Sequence, residues 1–164
     1  MRRWLVTLIA AVFTAAGLVV PAEATAAPTP IGRLGETLRI EVKGIVADIT
    51  VHSIDPSPVP PGFGHPPRPP RHQVWRAWVT VHTVQAPNPY AQSITYQFRG
   101  VTPTGDAYEP RITDAPDDLQ RALQNAPAGS TVSGAVFWDC YRDLVSNVVL
   151  LDKATGYHLA QWNV

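Results

Sequence analysis

The side chains of this chain best suited to chemistry are five histidines, one cysteine and one pair of adjacent aspartates. His52, His65, His72, His82 and His158 supply imidazoles, and a bound zinc ion needs three or four ligands converging at about 2 Å. His52 and His82 share the polar parity of two alternating segments and face each other only if those segments pair, while His65 and His72 lie in a proline-rich stretch. They read as solvated surface histidines, with a weak surface zinc site as the functional alternative. Asp117-Asp118 has the composition of a general acid/base pair, but adjacent carboxylates at a helix start point different ways, and capping accounts for both. Ser133-Gly134 lacks the first glycine of a nucleophile elbow. No His-Glu-x-x-His, paired-cysteine, calcium-loop or phosphate-loop pattern occurs. The expectation is a protein with no catalytic residue, no cofactor and no metal. Cys140 shares parity with Val136 and Trp138, so it should face the core as an inert, small apolar group. An intermolecular disulfide is its functional alternative.

The segment 56–72 holds eight of the 17 prolines of the chain. Proline has no amide to donate, which excludes a central strand. The segment should be an exposed loop with stretches of polyproline II and a flexible point at Gly62-Phe63-Gly64. Exposed loops on a rigid scaffold are where recognition concentrates. Pro66, Pro67, Arg68, Pro69, Pro70 and Arg71 are therefore the candidate partner-binding residues. Pro66, Pro69 and Arg71 also fit a P-x-x-P-x-R pattern of the kind SH3 grooves accept, although a stiff, solvent-exposed spacer explains the same residues.

The elements that must carry these residues are strands. Apolar residues alternate with polar ones from Leu38, Ala47, Trp75, Ile94 and Val136 onward; Val145 opens a more continuous apolar run, and Tyr157 begins the closing segment. That makes about seven strands, separated by the turn signals Pro87-Asn88-Pro89, Pro103-Thr104-Gly105-Asp106, Pro127-Ala128-Gly129 and Ala154-Thr155-Gly156. Short alternating strands with Pro/Gly turns specify an all-β antiparallel sandwich. At most one short helix is expected, at 114–123, capped by Asp114 and carrying Leu119 and Leu123 as an i, i+4 apolar pair.

Residues 1–26 have the layout of a secretory signal peptide. Arg2 and Arg3 precede an apolar run over 4–20, and Ala24-Thr25-Ala26 forms an A-x-A cleavage site. Residues 27–164 then form one sandwich domain, secreted to the extracellular space, without a membrane span. Removing Arg2, Arg3 and Glu23 leaves 11 basic and 12 acidic side chains and no basic stripe, which argues against nucleic acid as a partner. A single cysteine allows no intramolecular disulfide, so packing must stabilise the domain.

Four motifs recur in order along the chain. Gly32-Arg33-Leu34-Gly35-Glu36-Thr37-Leu38 fits G-K/R-L-G-x-x-L. Val74-Trp75-Arg76-Ala77 with Thr80-Val81 fits V-W-x-A-x-x-T-V. Gln97-Phe98, Thr102, Gly105 and Tyr108 fit a Q-F hairpin pattern. Pro127, Gly129, Gly134, Val136 and Trp138 fit a P-x-G strand pattern. Together they make the chain resemble the small secreted immunogenic antigens of mycobacteria, the MPT-sixty-three type. The resemblance implies an immunoglobulin-like sandwich, export, exposure to host immunity and no assigned enzymatic activity or site residue. The chain departs from that pattern in its proline loop, at Cys140 where the family has an aliphatic residue, and over 159–162. The expected function is a non-enzymatic binding module, monomeric or weakly dimeric, that presents its loop to a host or cell-envelope protein. The alternatives are a carrier of a small ligand or metal and, third, a hydrolase with an unrecognised site.

Overall fold

A computed structural model of the chain describes residues 28–64, 66–142 and 144–164. The expected signal peptide and His65 lie outside them. Seven strands of six residues or more follow the seven expected segments: β2 (Thr37–Val42), β3 (Ile45–Ser57), β4 (Gln73–Gln85), β5 (Tyr96–Val101), β8 (Thr131–Cys140), β9 (Asn147–Asp152) and β10 (His158–Asn163). Three shorter strands join them: β1 (Ile31–Arg33), β6 (Ala107–Tyr108) and β7 (Pro110–Arg111). The strands form two five-stranded sheets, ordered β2-β3-β4-β8-β7 and β1-β10-β9-β5-β6. Pairing is antiparallel except between β1 and β10. The result is the β-sandwich expected from the alternation.

The inward parity of each sheet makes the core. Ile49, Val51, Ala77, Val79, Val81 and Trp138 of one sheet are buried in a single cluster with Phe98, Val148, Leu150, Ala160 and Trp162 of the other. Both tryptophans keep their N–H groups bonded: Trp138 Nε1 donates to the Phe98 carbonyl at 3.1 Å, and Trp162 Nε1 to the Glu36 carbonyl at 3.0 Å. A buried indole without a partner would cost about 1–3 kcal/mol. Lys43 and Gly44 form the two-residue turn between β2 and β3, with φ of 50° and 76°, the twist such hairpins favour. Sheet edges are blunt: β1, β6 and β7 have three residues or fewer, and the edge strand β2 carries Arg39 and Glu41.

Local structure departs from expectation in three places. Ile94 does not begin a strand. Ala91–Thr95 forms a one-turn helix, α1, which leaves Ile94 61% exposed. The helix is held from outside, because the buried side chain of Gln92 donates to Thr83 Oγ1 at 2.6 Å. The turn expected at 114–123 is shorter: α2 covers Leu119–Ala122 and continues as a 3₁₀ turn over Leu123–Asn125. Asp118, not Asp114, caps it by accepting from the Arg121 amide at 3.2 Å. Pro116 explains the delay, since the residue before a proline is pushed out of the α region. Leu119 and Leu123 are buried as expected. Finally, β8 is covered on both faces from Gly134 to Cys140. A Cβ on Gly134 would lie 2.7 Å from the Leu119 Cα and 2.8 Å from the Asp117 carbonyl oxygen, so only glycine lets the start of α2 approach the strand this closely.

Candidate functional site

The proline-rich segment begins as strand. Pro56 and Ser57 extend β3 and pair with Trp75 and Val74. This is compatible with proline because β2 pairs with β3 only as far as Thr50, so the end of β3 is an edge. The free loop is therefore 58–72. Its middle is not a flexible point. Phe63 is 3% exposed and packs with Val74, Ala115, Ala135 and Phe137 in a second apolar cluster. Backbone bonds fasten both sides of it: the Asp114 amide donates to the Pro61 carbonyl at 2.8 Å, and the Gly64 amide to the Ile112 carbonyl at 2.8 Å. Phe63 thus pins the loop over the outer parity of β8, which explains why that strand is buried on both faces.

Past the anchor, Pro66 and Pro67 stand in a turn, and the Arg68 amide donates back to the Phe63 carbonyl at 3.1 Å. That turn interrupts the extended run that a P-x-x-P-x-R ligand needs, because polyproline II has no internal hydrogen bonds. Pro66, Pro67, Arg68, Pro69 and Arg71 are exposed and Pro70 is half-buried. The far end is pinned as well. The Arg71 amide donates to Asp139 Oδ1 at 2.8 Å, and Arg111 Nη2 lies 3.5 Å from Asp139 Oδ2. The carboxylate of Asp139 is buried, so one side chain ties the loop to β7 and β8.

Arg71 then lies over an aromatic ring. Its guanidinium carbon is 5.0 Å from the centroid of Tyr141, and that of Arg142 is 5.4 Å from the same centroid. Such contacts are worth about 0.5–1 kcal/mol at exposed sites. Tyr108 supports the ring edge-on at 5.5 Å, and Tyr141 remains 42% exposed. Arg142 pairs with Asp106 at 3.4 Å, whereas Arg68 and Arg71 have no carboxylate partner among the described residues. The surface is a cationic, proline-rich and aromatic patch on a fixed backbone. Beside it, Pro56, His72, Gln73, Trp75, Arg142 and Leu144 line a cleft of about 240 Å³. The sequence does not single out Tyr141 or Arg142, and it places Phe63 in a flexible point rather than an anchor. An aromatic between two glycines inside a proline-rich loop was the one available signal for the anchor.

The other chemistry-bearing residues are dispersed. His52 and His82 occupy one sheet face but do not face each other: His52 Nε2 bonds with Thr80 Oγ1 at 2.8 Å and His82 Nδ1 with Thr131 Oγ1 at 2.9 Å. Among the described residues, no three His, Cys, Asp or Glu side chains are placed to hold a metal. Asp118 spends its oxygens on the Arg121 amide and on Thr113 Oγ1, at 3.2 and 2.8 Å. Ser133 bonds with Thr80 at 2.8 Å. Cys140 is free, 2% exposed and part of the main core. No helix among the described residues is long and apolar enough to cross a membrane.

No protein-family model matches the chain, and no curated protein matches it in sequence. Its fold is similar to that of MPT63, a secreted protein from Mycobacterium tuberculosis, with a TM-score of 0.65 and 22% identity over 85% of this chain and 100% of that one. A β-sandwich protein from Clostridium difficile aligns with a TM-score of 0.48 and 13% identity, over 83% of this chain and 94% of that one. The yjhA protein from Bacillus subtilis aligns with a TM-score of 0.49 and 13% identity, over 81% of this chain and 98% of that one.

Proposed function

We propose that this chain is a secreted, non-enzymatic, immunoglobulin-like binding module that engages an acidic segment of a host or cell-envelope protein through Pro66–Arg71 and Tyr141. The observation that carries this reading is the fixed, exposed loop. Phe63 and Asp139 hold its two ends, while the Arg68 and Arg71 side chains are exposed and have no carboxylate partner among the described residues. A preorganised loop loses little entropy on binding, and Arg and Tyr are enriched where interfaces gain most of their energy. Export is supported by the signal-like residues 1–26, and the likeness to a secreted mycobacterial protein is consistent with it. Recognition by host immunity, as an antigen of the mycobacterial type, belongs to the same proposal.

The test is capture of envelope and host-surface proteins on residues 27–164, beside the double variant R68E/R71E. Both side chains are exposed, so the variant should fold. A partner retained by the native protein, released by added salt and lost by the variant supports the module. A partner held equally by both forms places recognition elsewhere, and no specific partner for either overturns the proposal.

A further inference from the structure

Behind the residues that anchor the loop, α2 and β7 roof a cleft between the sheets. An inner chamber of about 40 Å³ is walled by Phe98, Leu119, Leu123, Val136 and Phe137. An outer cleft of about 210 Å³ is walled by Gln97, Ile112 and Lys153. Tyr96, Pro110, Arg111 and Gln120 border both, so the outer cleft adjoins the chamber. The inner end is apolar and the mouth is cationic. Lys153 is exposed and its ammonium has no carboxylate partner among the described residues, while its amide is fixed to the Thr95 carbonyl at 2.7 Å. Among the described residues the Arg111 guanidinium makes one ionic contact, at 3.5 Å with Asp139, which leaves most of its five donors unengaged there. The one carboxylate in the walls, Asp118, is already bonded to Thr113 and the Arg121 amide.

A second observation comes from Tyr96. The residue is 2% exposed, and its hydroxyl is buried without a hydrogen-bond partner among the described residues. Leaving such a group unpaired costs about 1–3 kcal/mol, so a ligand that brings an acceptor to this wall recovers a bond the protein lacks. An apolar chamber with a few convergent polar groups at its mouth is the usual anatomy of a small-molecule site.

We propose that this cleft binds a small monocarboxylate with a short apolar tail. The carboxylate sits between Arg111 and Lys153 and accepts from the Tyr96 hydroxyl, and the tail points toward Leu119, Leu123 and Phe137. The inner chamber holds no more than about three water-sized groups, so the tail is short and long-chain fatty acids do not fit. This site uses neither Arg68 nor Arg71 and does not depend on the loop's partner.

Hexanoate titrated into residues 27–164, followed by methyl NMR of Leu119 and Leu123, tests the assignment. Hexylamine, of equal length and opposite charge, is the control. Hexanoate should shift both leucines saturably and hexylamine should not. Lys153→Gln, at an exposed position that leaves the fold intact, should weaken hexanoate about threefold to fivefold, the loss expected for one charged contact. R68E/R71E should bind hexanoate unchanged. No leucine shift at millimolar hexanoate, equal binding of hexylamine, or an unaffected Lys153→Gln would each overturn the site.

Discussion

Cys140 shows how much a single residue's surroundings decide its chemistry. Its thiol lies in the core beside Trp138, and its pKa is pushed up to about 12, first by burial and then by the charge of Asp139. The thiolate is the reactive form, so the native protein should resist iodoacetamide at mildly alkaline pH and label rapidly once unfolded in urea. Equal labelling rates in the two states would show that the thiol is accessible. This burial was legible in the sequence, because strand parity alone places Cys140 with Val136 and Trp138. Phe63 was not legible in the same way. It belongs to no periodic segment, and its partners Val74, Ala115, Ala135 and Phe137 come from three separate stretches of chain. Asp139 was hidden for a related reason. Its parity points outward, and it is met there by the Arg71 amide of the returning loop and by Arg111 of the neighbouring strand β7.

Elements were readable where one face meets the core and unreadable where tertiary contacts override local preference. The alternation from Trp75 to Val81 became β4 with the expected faces. The β-favouring residues around Ile94 became α1 instead, because Gln92 is captured by Thr83, nine residues back on β4, and the Thr95 carbonyl by the sequence-distant Lys153 amide. The proline loop illustrates the same division. Its composition correctly excludes a central strand, yet proline count carries no information about an apolar anchor. If Phe63 holds this element, Phe63→Ala should cost about 3 kcal/mol of stability, read from urea unfolding. Hydrogen exchange should separate this from a general loss: the Gly64 and Arg68 amides should lose protection while the amides of β9 and β10 keep theirs. Unchanged protection at Gly64 and Arg68 would mean that backbone bonds alone fix the loop.

Across the whole molecule, the two sheets are joined chiefly by the shared apolar core, and among the described residues one ion pair ties their ends. Lys43, in the β2–β3 turn, places its ammonium 2.8 Å from the carboxylate of Asp152, at the end of β9. Thr155 Oγ1 donates to the same carboxylate at 2.6 Å. The partners are 109 residues apart, so only the packing of one sheet on the other brings them together, and no sequence pattern announces the pair. Hydrogen bonds from Lys43 and then Thr155 hold the Asp152 carboxyl below its ordinary range, outweighing the opposing effect of burial. A depressed carboxylate pKa stabilises the fold above the unfolded value of about 3.9, and that contribution disappears as pH falls through the folded value. Asp152→Asn should therefore melt at a lower temperature than the native protein at neutral pH, and the difference should shrink as pH drops below about 4. Lys43→Gln should reproduce part of the neutral-pH deficit. The Thr155 bond survives that change, so the deficit should be smaller than for Asp152→Asn. A deficit for Asp152→Asn that stays constant from neutral to strongly acidic pH would assign its cost to lost packing at the turn. The sheets would then be held by their apolar faces alone.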